Sequence, residues 1–265
     1  MEFIFDINYM FLALYQLFAF FVQGLTGFGS TVLAAPFHSE VLGPTYGTAY
    51  ATLLCFPTLS YVAWKNRHKV AWKDLVRILA VAIPGLLVGQ SLLQYMDPKV
   101  AKLTIGIVVT CIALMNIYKT IIVPLVLKKE YVEDDEDGSL LKKIWRYVSL
   151  LLGGVLQGAF TSGGPFLSIY CLHAIKDKVN FRNTLAWVWV PLNLINSVKH
   201  ASAGYFTAEM WSALALGLPF ALIGTFIGMK YTEKVNKITF LRAVYVLLLI
   251  IGLTSVNANI GILFN

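Results

Sequence analysis

Residues 23–31 read QGLTGFGST. They fall inside a stretch, 7–39, that holds no Lys, Arg, Asp or Glu. Such a stretch reads as a membrane helix, yet three glycines and two threonines in nine residues disfavour an unbroken one. Lipid cannot satisfy free N–H and C=O groups, so backbone broken at membrane depth must be buried in protein or line a polar cavity. Fold and function both turn on why the chain breaks here.

The surroundings fix the solvent. The chain has 265 residues, 58% hydrophobic and 13% charged; soluble domains carry about 25% charged residues. Charge-free runs cover 7–39, 41–64, 78–96, 103–118, 147–175, 183–198, 210–229 and 243–265. A bilayer-spanning helix needs about 20 mostly apolar residues, so the sequence predicts an all-α polytopic membrane protein. The opening residues, MEFIFDINYM, carry acids and no basic region, so no cleaved signal peptide is expected. Cys55, Cys111 and Cys171 sit in apolar runs without zinc or disulfide spacing and read as buried small hydrophobes. The net charge of +7 lies in loops and reports topology rather than nucleic acid. No cofactor, metal or catalytic group is expected.

Two runs, 7–39 and 147–175, are too long for one span and too short for two. Each has a glycine-rich break, GLTGFGST in the first and GAFTSGGPF in the second. At an offset of 134, Gln23 meets Gln157, Gly24 meets Gly158, Gly29 meets Gly163, Leu33 meets Leu167, Pro57 meets Pro191 and Lys65 meets Lys199. At an offset of 135, Pro84 meets Pro219, Gly89 meets Gly224, and KVAK at 99–102 meets KVNK at 234–237. In this order, with one gap, the matches argue for an internal duplication. The expected units are a first transmembrane repeat over 1–127, a charged linker over 128–146 and a second repeat over 147–265. Each repeat is one Gly-broken segment followed by three helices.

The basic residues test the topology. If both broken segments are re-entrant and the other six spans cross, eighteen of the 21 Lys and Arg share one side. If all eight cross, the split is 12 to 9. The positive-inside rule selects the first arrangement. Charge decides only the second segment; the first is assigned by the repeat, and whether it crosses or re-enters stays open. Three crossings per half make the repeats inverted, with the linker cytoplasmic and both termini outside the inner membrane.

Inverted repeats with interrupted helices at matching positions point to a transporter site near the midplane. A break exposes free N–H groups at a new helix N-terminus, where the dipole favours an anion. Pro165 suits the first turn of such a helix, so Gly163 and Gly164 should start one, and Gly29, Ser30 and Thr31 the other. The competing reading is that these glycines serve only close packing; their repeat-equivalent placement favours a functional break. Gln23 and Gln157 precede the breaks. Asn193, Asn196 and Ser197 share one helix face at i, i+3 and i+4. Trp187 and Trp189 read slightly better as interfacial anchors than as cavity wall. If a proton is coupled, His38, His173 and His200, each near a run end, are the available carriers.

At QGLTGFGSTVLAAP, 23–36, and QGAFTSGGPFLSIY, 157–170, the chain resembles the TauE/SafE family of sulfite and organosulfonate exporters. The resemblance implies two similar halves and an anion site at Gly27, Gly29, Ser30 and Thr31 with Thr161, Ser162, Gly163 and Gly164. It implies sulfite, sulfoacetate or a related anion as substrate. The function expected is a secondary transporter exporting such an anion by alternating access. The alternatives are a passive anion channel and a carrier for another small anion such as sulfate; a coupling ion and a homodimer are left open. An intramembrane hydrolase using Ser30 or Ser162 is disfavoured, because no histidine lies near either serine in sequence.

Overall fold

The structure is a computed structural model that describes residues 7–92, 98–125, 128, 140–161 and 163–263. Every regular element among them is helical. In chain order these are α1 (Ile7–Thr26), α2 (Ser30–Leu42), α3 (Pro44–Lys65), α4 (Trp72–Leu92), α5 (Pro98–Ile117), a π turn (Tyr118–Ile122) and the single turn α6 (Val123–Leu125). The second half has α7 (Leu140–Phe160), α8 (Gly164–Ala174), α9 (Lys178–Ser202), α10 (Ala208–Lys234) and α11 (Lys237–Asn259), closed by a 3-10 turn (Ile260–Leu263). Most of the expected linker, 129–139, lies outside the described residues. Its last part does not: α7 starts at Leu140, ahead of the apolar run at 147, and carries Lys143 and Arg146 on its first turns.

Both long runs fold as helical hairpins. Gln16 Nε2 lies 3.0 Å from His38 Nε2, and the Tyr15 and Phe37 rings are 4.1 Å apart. In one continuous helix residues 16 and 38 would be about 33 Å apart. In the second run the Tyr147 and Tyr170 rings sit 6.1 Å apart across the break. The arms are unequal. α1 and α7 have 20 and 21 residues, α2 and α8 have 13 and 11.

The halves interlock. α1 packs chiefly on α10 and α7 on α4, while α3 packs on α9 and α5 on α11. Exchanging the halves leaves this scheme unchanged. The central pair is antiparallel: Trp187 Nε1 donates to the Ala63 carbonyl at 3.0 Å and Asn183 Nδ2 to the Lys69 carbonyl at 3.1 Å. The outer pair is antiparallel too, with Gly106 against Gly252 and Arg242 Nε donating to the Thr120 carbonyl at 2.9 Å. Close packing explains the matched glycines Gly24 and Gly158, as it does Gly89 and Gly224. A Cβ on Gly24 would lie 2.3 Å from the Thr225 carbonyl oxygen, and one on Gly158 2.0 Å from that of Leu86. At these two positions the packing reading holds, as small-residue helix crossings in membranes require.

Four described helices are long and apolar enough to cross a membrane: α1, α4, α10 and Ile238–Asn259 of α11. The central helices α3 and α9 are long but more polar. α9 buries Arg182, Asn183, Thr184, Asn193 and Asn196 in protein. Cys55 and Cys171 are buried as expected, whereas Cys111 is exposed on the outer side of α5.

Candidate functional site

Each hairpin turns on a left-handed residue. α1 ends at Thr26, and Gly27 follows with φ 88°, its N–H bonded to the Gln23 carbonyl at 2.6 Å. Gly29 is left-handed again, φ 101°, and caps α2 without a side-chain hydrogen bond. Glycine takes this backbone without strain. In the second hairpin Thr161 occupies the place of Gly27 with φ 53°, its N–H bonded to the Gln157 carbonyl at 3.1 Å. A β-branched residue there costs about 1 kcal/mol or more. Gly163 then leads into α8, with Pro165 in its first turn. Ser162, expected at the site, lies outside the described residues.

The two glutamines staple the hairpin tips differently. Gln23 Oε1 accepts the Ser30 hydroxyl and faces the Cys55 thiol at 3.8 Å. Its Nε2 is buried and has no partner. Gln157 Oε1 accepts the Gly163 N–H at 3.1 Å, and its Nε2 donates to Asn193 Oδ1 at 3.2 Å. Asn196 Nδ2 donates to the Gln157 carbonyl at 3.1 Å and Asn196 Oδ1 accepts from Gln90 Nε2 at 2.9 Å. One carboxamide keeps a free donor; the other has spent both ends.

Between the tips lies a small cavity of about 20 Å³. Gln23, Gly29 and Thr31 line it from the first hairpin and Gln157 and Gly164 from the second, with Asn193 and Trp189 supplied by α9. Phe28, Val32, Cys55 and Leu59 complete the wall. Of the expected residues, six therefore meet at one cavity. The others stand behind it. Gly27 offers its carbonyl to Trp189 Nε1 at 2.8 Å, and Ser30 is turned to Gln23. Thr161 is buried at the end of α7, Gly163 packs on the Gly153 carbonyl, and Asn196 braces Gln157 from the far side. Trp189 is thus cavity wall rather than an interfacial anchor, while Trp187 is half-buried against α3.

The lining has no Lys, Arg, Asp, Glu or His. Its polar groups are the Gln23 and Gln157 carboxamides, a threonine hydroxyl, the Cys55 thiol, the Asn193 amide and two half-helix N-termini. Such a set favours negative charge through dipoles and neutral donors. Sequence reasoning missed the nearest full charge. Arg182 is 0% exposed, directly beneath Gly27, with Nη1 donating to the Met229 carbonyl at 3.0 Å and Nε and Nη2 to Asn183 Oδ1 at 3.1 and 3.0 Å. It was counted with a loop because it ends one; only three-dimensional packing buries it.

Residues 12–255 match the family described as Sulfite exporter TauE/SafE. Over 235 residues the chain is 24% identical to a "Probable sulfite/organosulfonate exporter TauE" from Cupriavidus necator, covering 88% of this chain and 87% of that protein. No solved structure matches. The chain belongs to the TauE/SafE family, a family of membrane transporters.

Proposed function

We propose that this chain is a secondary transporter exporting a small sulfur anion, sulfite or an organosulfonate, by alternating access. The observation that carries the reading is the convergence of two half-helix N-termini and the Gln23 side chain, whose buried Nε2 has no partner, on one cavity. A buried donor without an acceptor costs about 1–3 kcal/mol; an anion oxygen in the cavity removes that cost. The binding set is Gln23, Gly29, Thr31, Gly164 and Asn193, with Gly27, Ser30, Gln157, Thr161, Gly163 and Asn196 holding it in shape.

The two halves are inverted repeats, each a re-entrant hairpin and three crossing helices. Supporting this, the repeat-equivalent helices α3 and α9 run antiparallel, as do α5 and α11. The basic loops then face the cytoplasm with the 128–146 linker, and both termini lie outside. The relative's name supports sulfite or sulfonate as cargo.

The test is a ligand panel on the purified protein by thermal shift: sulfite, sulfate, sulfoacetate, taurine and chloride. A selective upward shift with sulfite or sulfoacetate is expected, followed by saturable flux of that anion in proteoliposomes. Ohmic, unsaturable current would make the protein a channel. Absence of any shift with the sulfur anions would overturn the assignment.

A further inference from the structure

Away from the cavity, the opposite end of α2 holds a second polar cluster. His38, in the last turns of α2, is 2% exposed. Gln16 of α1 places Nε2 3.0 Å from His38 Nε2, and the Tyr50 ring of α3 stands edge-on to the imidazole at 5.0 Å. Two buried atoms of this cluster, Gln16 Oε1 and Tyr50 Oη, have no hydrogen-bond partner. The two side chains meet beside α10: a Cβ on Gly217 would lie 2.2 Å from Tyr50 Oη and 3.7 Å from Gln16 Cγ. No charged side chain among the described residues faces the ring. Glu40, on the same helix, is exposed, and the Tyr15 hydroxyl of α1 is turned to the Leu33 carbonyl. Gly47 of α3 packs on the His38 backbone.

We infer that His38, Gln16 and Tyr50 form a proton-binding site that couples proton movement to anion transport. An ionisable group within a membrane-spanning segment marks an ion pathway or proton relay more often than it marks packing, and imidazole is the side chain that titrates at physiological pH. The partner decides the matter. A carboxylate would lock the ring in its charged form and a hydrocarbon wall would forbid it. A glutamine serves both states: its N–H₂ end donates to the lone pair of the neutral ring, and after a half-turn its oxygen accepts from the protonated ring. Its other end is unpartnered here, as is Tyr50 Oη, a hydroxyl that can donate or accept.

The coupling rests on the function proposed above and follows from geometry. His38 and the cavity residue Thr31 are seven residues apart on one helix, about 10 Å. Positive charge near the C-terminal end of α2 is favoured by its dipole and draws an anion toward its N-terminal end. Proton and anion should therefore bind cooperatively.

Two measurements in lipid nanodiscs test this. The chain has four histidines, so ¹⁵N-histidine NMR of wild type and His38→Gln assigns the His38 signal by its loss. That signal should titrate between about pH 5 and about pH 9, and Gln16→Leu should abolish the titration or shift it by more than about one pH unit. A ring that stays neutral throughout overturns the inference, whatever the cargo. Sulfoacetate, whose charge is constant over this range, should bind about tenfold more tightly at the acid end. His38→Gln should bind it with a flat pH profile. Binding that is pH-independent in wild type overturns the coupling while leaving the anion site standing. A Na⁺ dependence that replaces the pH dependence overturns the choice of ion.

Discussion

The hairpin tips come from the same sequence pattern and do different work. In the first, Gln23 bonds a hydroxyl through its oxygen and leaves its buried nitrogen without a partner. In the second, Gln157 bonds the Gly163 backbone through its oxygen and Asn193 through its nitrogen. The first tip turns on two left-handed glycines, whereas the second forces a threonine into that conformation and packs Gly163 against a carbonyl. The two motifs share a backbone task, and only the first keeps a free donor. The first tip keeps an unpartnered donor, whereas the second spends its carboxamide on bracing its own backbone and Asn193.

Leucine at the equivalent glycines should break the comparison most sharply. A Cβ on Gly163 would sit 2.1 Å from the Gly153 carbonyl oxygen, so Gly163→Leu should fail to accumulate as folded protein. Gly29→Leu meets a movable Leu247 side chain at 2.9 Å, in a left-handed backbone. It should reach the membrane destabilised by about 2 kcal/mol and without transport. Detergent-solubilised gel filtration separates the two outcomes, and equal yields would erase the distinction.

The glutamines give the next largest effect. Gln157→Leu strands the Gly163 N–H and Asn193 Oδ1 in a buried site and should cost about 2–4 kcal/mol of stability, read by thermal melting. Gln23→Leu removes a donor that no protein group uses. It also strands the Ser30 hydroxyl, so it should cost about 1 kcal/mol of stability, less than Gln157→Leu, while weakening anion affinity about tenfold or more, the worth of a hydrogen bond to a charged group. If both variants lose stability alike, the tips are equivalent and the division of labour is wrong.

Two smaller changes sharpen the picture. Trp189→Phe leaves the Gly27 carbonyl without its donor and should cost about 1 kcal/mol, with a looser first tip and a higher KM for flux. Thr161→Gly relieves the left-handed threonine and should stabilise by about 0.5–1 kcal/mol, the strain released less the entropy of glycine. No such gain is available at Gly27, so Gly27→Ala should only destabilise.

Much of this was readable as text. The two breaks, their repeat spacing and the start of α8 at a glycine before Pro165 follow from composition and local backbone chemistry. The hairpin return was inferred from charge placement, which reports on loops and so speaks only to the second half. The difference between Gln23 and Gln157 was not readable, because identical letters carry no record of which neighbours take up their hydrogen bonds. Trp189 resembled an interfacial anchor until α9 turned it onto Gly27. Arg182 looked like the end of a loop, and only the packing of α10 and α1 over the start of α9 encloses it. Gln90 was visible as a polar residue in an apolar run, but nothing in the sequence linked it to Asn196.

The crossings of α1 on α10 and of α7 on α4 are so close that only glycine fits at Gly24 and Gly158. Each hairpin therefore finds its bed in the opposite half of the chain, as in two swapped subunits joined by a tether. A gene cut between the halves would yield two polypeptides that each lack a partner surface for their own hairpin. Neither could mature alone, and synthesis of both in one cell would be needed to rebuild the molecule.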